Sequence, residues 1–156
     1  MRNGIAMRWI AFTDSLASFP MALIQLALRI GVAMVFWRSG LTKVATNEAG
    51  SLPLFPLQLG ESTVMLFELE YNVPLLPPAW AAWLASVSEL TFPILLIVGF
   101  ASRISAAALL GMTLVIQLFV YPGNWAEHLF WAGALALILS RGAGPLSLDA
   151  LLLRGR

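Results

Sequence analysis

Residues 79–99 read AWAAWLASVSELTFPILLIVG, and Glu89 is their only formal charge. A helix needs about 20 mostly apolar residues to cross the hydrocarbon core of a bilayer. The stretch therefore reads as a membrane span with a carboxylate near its middle. Pro93 follows Glu89 by one helical turn. It has no N–H, so the Glu89 carbonyl loses its usual i+4 donor. A carboxylate and a free carbonyl at one depth make a polar spot that hydrocarbon cannot satisfy.

The rest of the chain fits the same solvent. It has 156 residues, of which 60% are apolar and 11% charged, and its mean hydropathy is +0.85. A soluble domain carries about 25% charged residues, so a water-facing surface is not covered. The net charge of +1 gives no footprint for nucleic acid. Cysteine is absent, which removes disulfides, thiolate metal sites and Cys-X-X-Cys redox chemistry.

Four spans are expected, over about 21–44, 79–99, 103–121 and 124–141, giving an all-α four-helix transmembrane bundle. The first contains Arg29, which interrupts the apolar centre a signal peptide requires, so it reads as a retained span. Ser102 is the expected N-cap of span three. Asn124 and Glu127 have the spacing of a capping box for span four. The connection 45–78 holds Glu48, Glu61, Glu68 and Glu70 among many Pro and Leu. It reads as an interface-hugging outer loop with one short helix near 61–70. Arg2, Arg8, Arg103, Arg141, Arg154 and Arg156 fall on one side of a four-span chain, which places both termini in the cytoplasm. The segments AMRWIAF (6–12) and LSLDALLL (146–153) are too short to span and read as interfacial elements.

At 100° per residue, Arg29, Ala33, Phe36, Gly40 and Lys43 share one stripe of span one, with Arg38 on the opposite face. Counting depth along the spans makes Arg29 the expected partner of Glu89 in a core charge pair. An isolated Arg or acid at a helix centre costs about 2.5–3.5 kcal/mol on the insertion scale, and pairing offsets both costs. Two readings of that pair stand open, structural glue and a proton or ligand role. Toward the outer end, Lys43, Gln117, Tyr121 and His128 are expected to line a polar cavity, with Asn124 and Glu127 near it and loop contacts from Glu68 and Glu70. His128 is the one histidine, and potential metal ligands are too sparse to predict a metal site. Trp80, Trp83, Trp125 and Trp131 read as an aromatic belt. Ala107, Gly111, Ala132 and Ala136 read as packing notches.

These segments resemble a known family. LRIGVAMVFWRSGLTK (28–43) looks like the first helix of DoxX-type membrane proteins, and SELTFPILLIVGFASR (88–103) like their second. GAGPLSLDALL (142–152) resembles their C-terminal signature. FELEYNVPLLPP (67–78), with YPGNWAEHLFW (121–131), resembles the branch encoded beside multinuclear-iron peptide-modifying enzymes. The resemblance implies a four-helix protein of the bacterial inner membrane, and it brings no agreed catalytic residues. Its name comes from a subunit linked to a thiosulfate:quinone oxidoreductase, and other members are described as membrane partners of redox or detoxification systems. The expected role is therefore a non-catalytic accessory subunit in a redox or metal-stress system, with quinone as the one cofactor in view. Two alternatives remain, a quinone-linked oxidoreductase subunit with a proton relay and a small transporter of a solute or modified peptide. Expected partners are the bilayer, a membrane or periplasmic protein, and a second copy of the chain.

Overall fold

The computed structural model describes residues 2–45 and 57–153, except the side chains of residues 2, 3 and 5. Glu48, most of the Pro/Leu-rich stretch, Arg154 and Arg156 lie outside the described residues. Among those described, all regular elements are helices: α1 (Arg2–Ala17), α2 (Met21–Leu41), α3 (Glu61–Leu66), α4 (Pro78–Val98), α5 (Ser102–Val115), α6 (Trp125–Arg141) and α7 (Leu148–Leu153). α3 and α5 each end in a π-helical turn, Phe67–Tyr71 and Ile116–Val120. The helix expected near 61–70 is thus α3 and its π turn.

α2 packs on α4 and α6, and α5 packs on α4 and α6, so four helices close a ring. Its centre is filled by Val32, Ala33, Phe36, Leu96, Ala106, Leu109, Leu135 and Ile138. Met21–Leu41, Pro78–Val98 and Ser102–Val120 are each long and apolar enough to cross a membrane. α6 is shorter, at 17 residues. α1 is longer than the expected interfacial element, at 16 residues, and it leaves Met7, Trp9, Ile10, Phe12 and Leu16 exposed.

Helix ends follow local chemistry only in part. Pro78 opens α4, where its missing N–H costs nothing. Gly99 ends it at φ +76, and the N–H groups of Gly99 and Phe100 both return to the Leu95 carbonyl at 2.9 Å. Only glycine takes that conformation without strain. Ser102 is not the N-cap of α5. Ala101 occupies that position, and the cap comes from far away in sequence. The Asp149 carboxylate accepts the N–H groups of Ala101 and Ser102, each at 2.9 Å. Nor does the capping box at α6 form. Asn124 is the N-cap residue but makes no side-chain cap bond. Its φ −91 and ψ 43 are not the extended geometry from which a cap side chain reaches back.

The stripe on α2 is buried as its spacing requires, with Arg29, Ala33, Phe36, Gly40 and Lys43 inside and Arg38 exposed. Gly40 sets how close α2 and α4 come. A Cβ there would lie 3.0 Å from the Glu89 Cβ and 3.1 Å from its carbonyl carbon.

Candidate functional site: a cavity closed by Lys43 and Glu89

The expected Arg29–Glu89 pair is not what forms. Glu89 is met by Lys43, with Nζ 2.7 Å from Oε2. Arg29 turns instead to the ends of helices and loops. Its Nη1 donates to the Ala143 carbonyl at 2.8 Å, and its Nη2 to Leu146 at 2.8 Å and Ile97 at 3.3 Å. The reason is register. The Gly40–Glu89 contact makes those two residues level, so Arg29 lies eleven residues away along α2, about 16 Å at 1.5 Å per residue. That puts Arg29 beside the last turn of α4, where carbonyls lack intrahelical partners.

The stretch GAGPLSLDALL forms the other half of this inner knot. Gly99 carbonyl accepts the Asp149 N–H at 2.8 Å, and a Cβ on Gly99 would come within 2.5 Å of the Ser147 Cβ. Burial alone would raise the Asp149 carboxyl. The hydrogen bonds from Ser102 and Ala101, with the Arg29 charge, outweigh it and hold the group below its ordinary value.

Lys43 is positioned by its own backbone. Its carbonyl accepts the Gly60 N–H at 3.0 Å and the Thr63 hydroxyl at 2.8 Å. Val44 and Leu59 form an isolated antiparallel bridge beside it. With the backbone fixed, the side chain runs back toward Ser39, donating to its hydroxyl at 2.8 Å and its carbonyl at 3.3 Å. Lys43 and Glu89 are 5% and 3% exposed. Both charges are therefore out of water, and each compensates the other.

The pair lines a cavity of about 140 Å³. Phe36, Phe67, Tyr71, Tyr121 and Trp131 line its walls, and Ser39 joins the charged pair at its polar end. Both π turns face it, one through Phe67 and Tyr71 and the other through Ile116 and Val120. Such turns widen a helix locally and recur at functional sites. The Tyr71 and Tyr121 rings meet edge to face at 5.9 Å. The Tyr121 hydroxyl donates to Glu70 at 3.3 Å, while Glu68 is exposed. Burial, then the contact with Tyr121 and the carboxylates of Glu70 and Glu89, push the Tyr71 phenol up, so it stays protonated.

The expected outer cavity is in fact two sites. Lys43 and Tyr121 line the one just described. Gln117 and His128 bond to each other instead, Oε1 to Nδ1 at 2.6 Å, and line a separate groove on α5 and α6. Trp131 stands between, packing on Phe36 at 5.6 Å and on His128 at 4.9 Å. It is therefore an interior wall, while Trp80, Trp83 and Trp125 are exposed as belt residues are. Sequence reasoning missed Ser39, Phe36, Tyr71 and Trp131 as cavity residues. Two signals were present: Ser39 precedes Lys43 by one helical turn, and Phe36 lies on the buried stripe.

Comparison with curated proteins and with solved structures found no match. The family model described as DoxX matches residues 24–122. That match takes in α2, α4 and α5 with Arg29, Lys43, Glu89 and Gln117, and stops short of His128 and the C-terminal knot. Covering more than half of the chain and nearly all of the three helices that, among the described residues, are long and apolar enough to cross a bilayer, it establishes that this membrane protein belongs to the DoxX family.

Proposed function

We propose that the protein is an accessory, non-catalytic subunit of a redox or metal-stress system in the bacterial inner membrane, and that its cavity contacts the ring of a quinone. In this reading α2, α4, α5 and α6 all span, both termini are cytoplasmic, and α3 with its π turn covers the outer end. The carrying observation is the cavity itself. At about 140 Å³ it is close to the ~150 Å³ cavity known to take up benzene. Aromatic walls suit a flat ring, and the Ser39 hydroxyl at the cavity lining is a donor for a ring carbonyl. Arg29 and Lys43 are already engaged within the chain, which favours a binding role over chemistry performed by this chain alone.

A second reading is favoured by one set of groups. Glu89, Tyr71 and Tyr121 line the cavity, the two tyrosine rings are 5.9 Å apart, and the Tyr121 hydroxyl donates to Glu70. Such a set suits proton transfer in a quinone-linked oxidoreductase subunit.

Purification in gentle detergent, with mass spectrometry of the bound small molecules and proteins, tests both readings. The accessory reading expects a co-purifying quinone, a partner protein, and no turnover by the isolated chain. Quinol oxidation by the isolated chain, abolished in Glu89→Gln, would favour the relay. Absence of quinone, with no thermal shift on adding a short-chain quinone, would remove the ligand from the proposal.

A further inference from the structure

The groove on α5 and α6 lies on the far side of Trp131 from the charged cavity, and the proposed function does not use it. It has a volume of about 460 Å³, within the ~300–1,000 Å³ typical of small-molecule sites. Ala107 and Gly111 of α5 and Ala132 of α6 are among its lining residues, with Leu114, Trp125 and Leu129 beside them. The last three are more than half exposed, so the groove opens sideways on the face that α5 presents to lipid. From Ala107 to Gln117 it runs about 15 Å along α5, a length and shape suited to a chain rather than a ring.

Its polar end is one-sided. Gln117 Nε2 donates to the Pro122 carbonyl at 2.7 Å. A carbonyl can only accept, so that bond fixes the amide and turns Oε1 to His128, 2.6 Å from Nδ1. Oε1 also only accepts, so Nδ1 carries the proton, and Nε2 of the neutral ring is left as an acceptor. His128 is 3% exposed and lines the groove. Among the described residues its Nε2 has no hydrogen-bond partner. Nε2 is thus an acceptor open to the groove rather than sealed in the fold: the enclosed polar side-chain atoms left without a partner among the described residues are Arg29 Nε and Ser102 Oγ.

We infer that this groove binds a single-chain, membrane-phase alcohol whose chain lies along Ala107, Gly111 and Ala132 and whose hydroxyl donates to Nε2 of His128. The ligand class follows from the tautomer: the head must carry a donor hydrogen, which a ketone or an ether lacks, and a hydroxyl supplies it without adding a charge to an apolar groove.

The test uses the full chain in nanodiscs, a long-chain diazirine alcohol, its methyl ether, and a diazirine diacylglycerol. The alcohol is expected to label the peptides containing Ala107–Gln117 and Trp125–Leu139. The ether should label them about tenfold less, the value of one lost hydrogen bond. His128→Phe should bring the alcohol down to the level of the ether. Gly111→Leu should abolish labelling by both, and it is expected to fold, because a Cβ on Gly111 meets nothing within 4 Å. Equal labelling by alcohol and ether in the unmutated protein would overturn the inference without any variant. So would stronger labelling by the diacylglycerol, or labelling indifferent to Gly111→Leu. A dimer cross-linked through this face and lost in Gly111→Leu would overturn it as well, making the groove a helix-packing surface.

Discussion

Gly40 and Glu89 are in backbone-level contact: a methyl group on Gly40 would stand 3.0 Å from the Glu89 Cβ and 3.1 Å from its carbonyl carbon. This one approach sets the register of α2 against α4, and with it the partner of every buried charge. Gly40→Ala is expected to push the helices apart and cost about 1–3 kcal/mol, the range for overpacking. Gly31→Ala is the control, since nothing lies within 4 Å of a Cβ there and alanine is the better helix former by up to about 1 kcal/mol. Thermal unfolding in detergent separates them. Equal effects of the two changes would mean that Gly40 does not set the helix spacing.

Lys43 and Glu89 should behave as one unit. Removing one partner leaves a lone buried charge, which costs about 3–5 kcal/mol. Lys43→Met and Glu89→Gln are each expected to destabilise, and the double change to recover much of the loss. A double-mutant cycle measures the coupling. The same cycle with Arg29→Met in place of Lys43→Met should give near additivity, because Arg29 bonds carbonyls rather than Glu89.

Arg29→Lys should not rescue Arg29→Met. Three carbonyls from two segments are reached by a planar fork of donors, and an ammonium on a flexible stem cannot span them. Each buried carbonyl left without a donor costs about 1–3 kcal/mol. Proteolysis near the C-terminal segment 142–153 is the local readout, with both variants expected to be cut faster than the unmutated chain.

Asp149 predicts an acid limit. Its folded value is below its ordinary one, so the ionised form is favoured by folding. The stabilisation is fully present above the ordinary carboxylate range, about pH 4, and is lost as the pH falls through the lowered folded value. Asp149→Asn should cost about 0.5–2 kcal/mol at neutral pH, the range for losing a helix cap. It should also flatten the fall in melting temperature below about pH 4. An unchanged acid branch would assign the loss to other carboxylates.

The topology has its own check. Reporter fusions after α7 and within the connection near Gly60 should report opposite sides, cytoplasmic for the first and external for the second. The same side for both would leave α6 short of crossing and undo the four-span arrangement.

What the sequence determined by itself is the solvent, the helices and the buried stripe. A long apolar run with one charge is a helix fit to cross a bilayer, and a periodicity of 3.6 places Arg29, Ala33, Phe36, Gly40 and Lys43 on one face whatever lies opposite. The short helix in the long connection was legible too. The tertiary structure alone decided which buried group meets which. Depth counted from span ends assumes that antiparallel helices end level, whereas α2 is displaced along α4 until Gly40 reaches Glu89. Lys43 then replaces Arg29 at the carboxylate, and Arg29 meets a C-terminal segment more than 100 residues away in the chain. The polar groups expected in one cavity do not share an azimuth. Trp131, packed between Phe36 and His128, divides them into two sites, because interhelical rotation is set by side-chain packing, which helical periodicity within one chain segment does not encode.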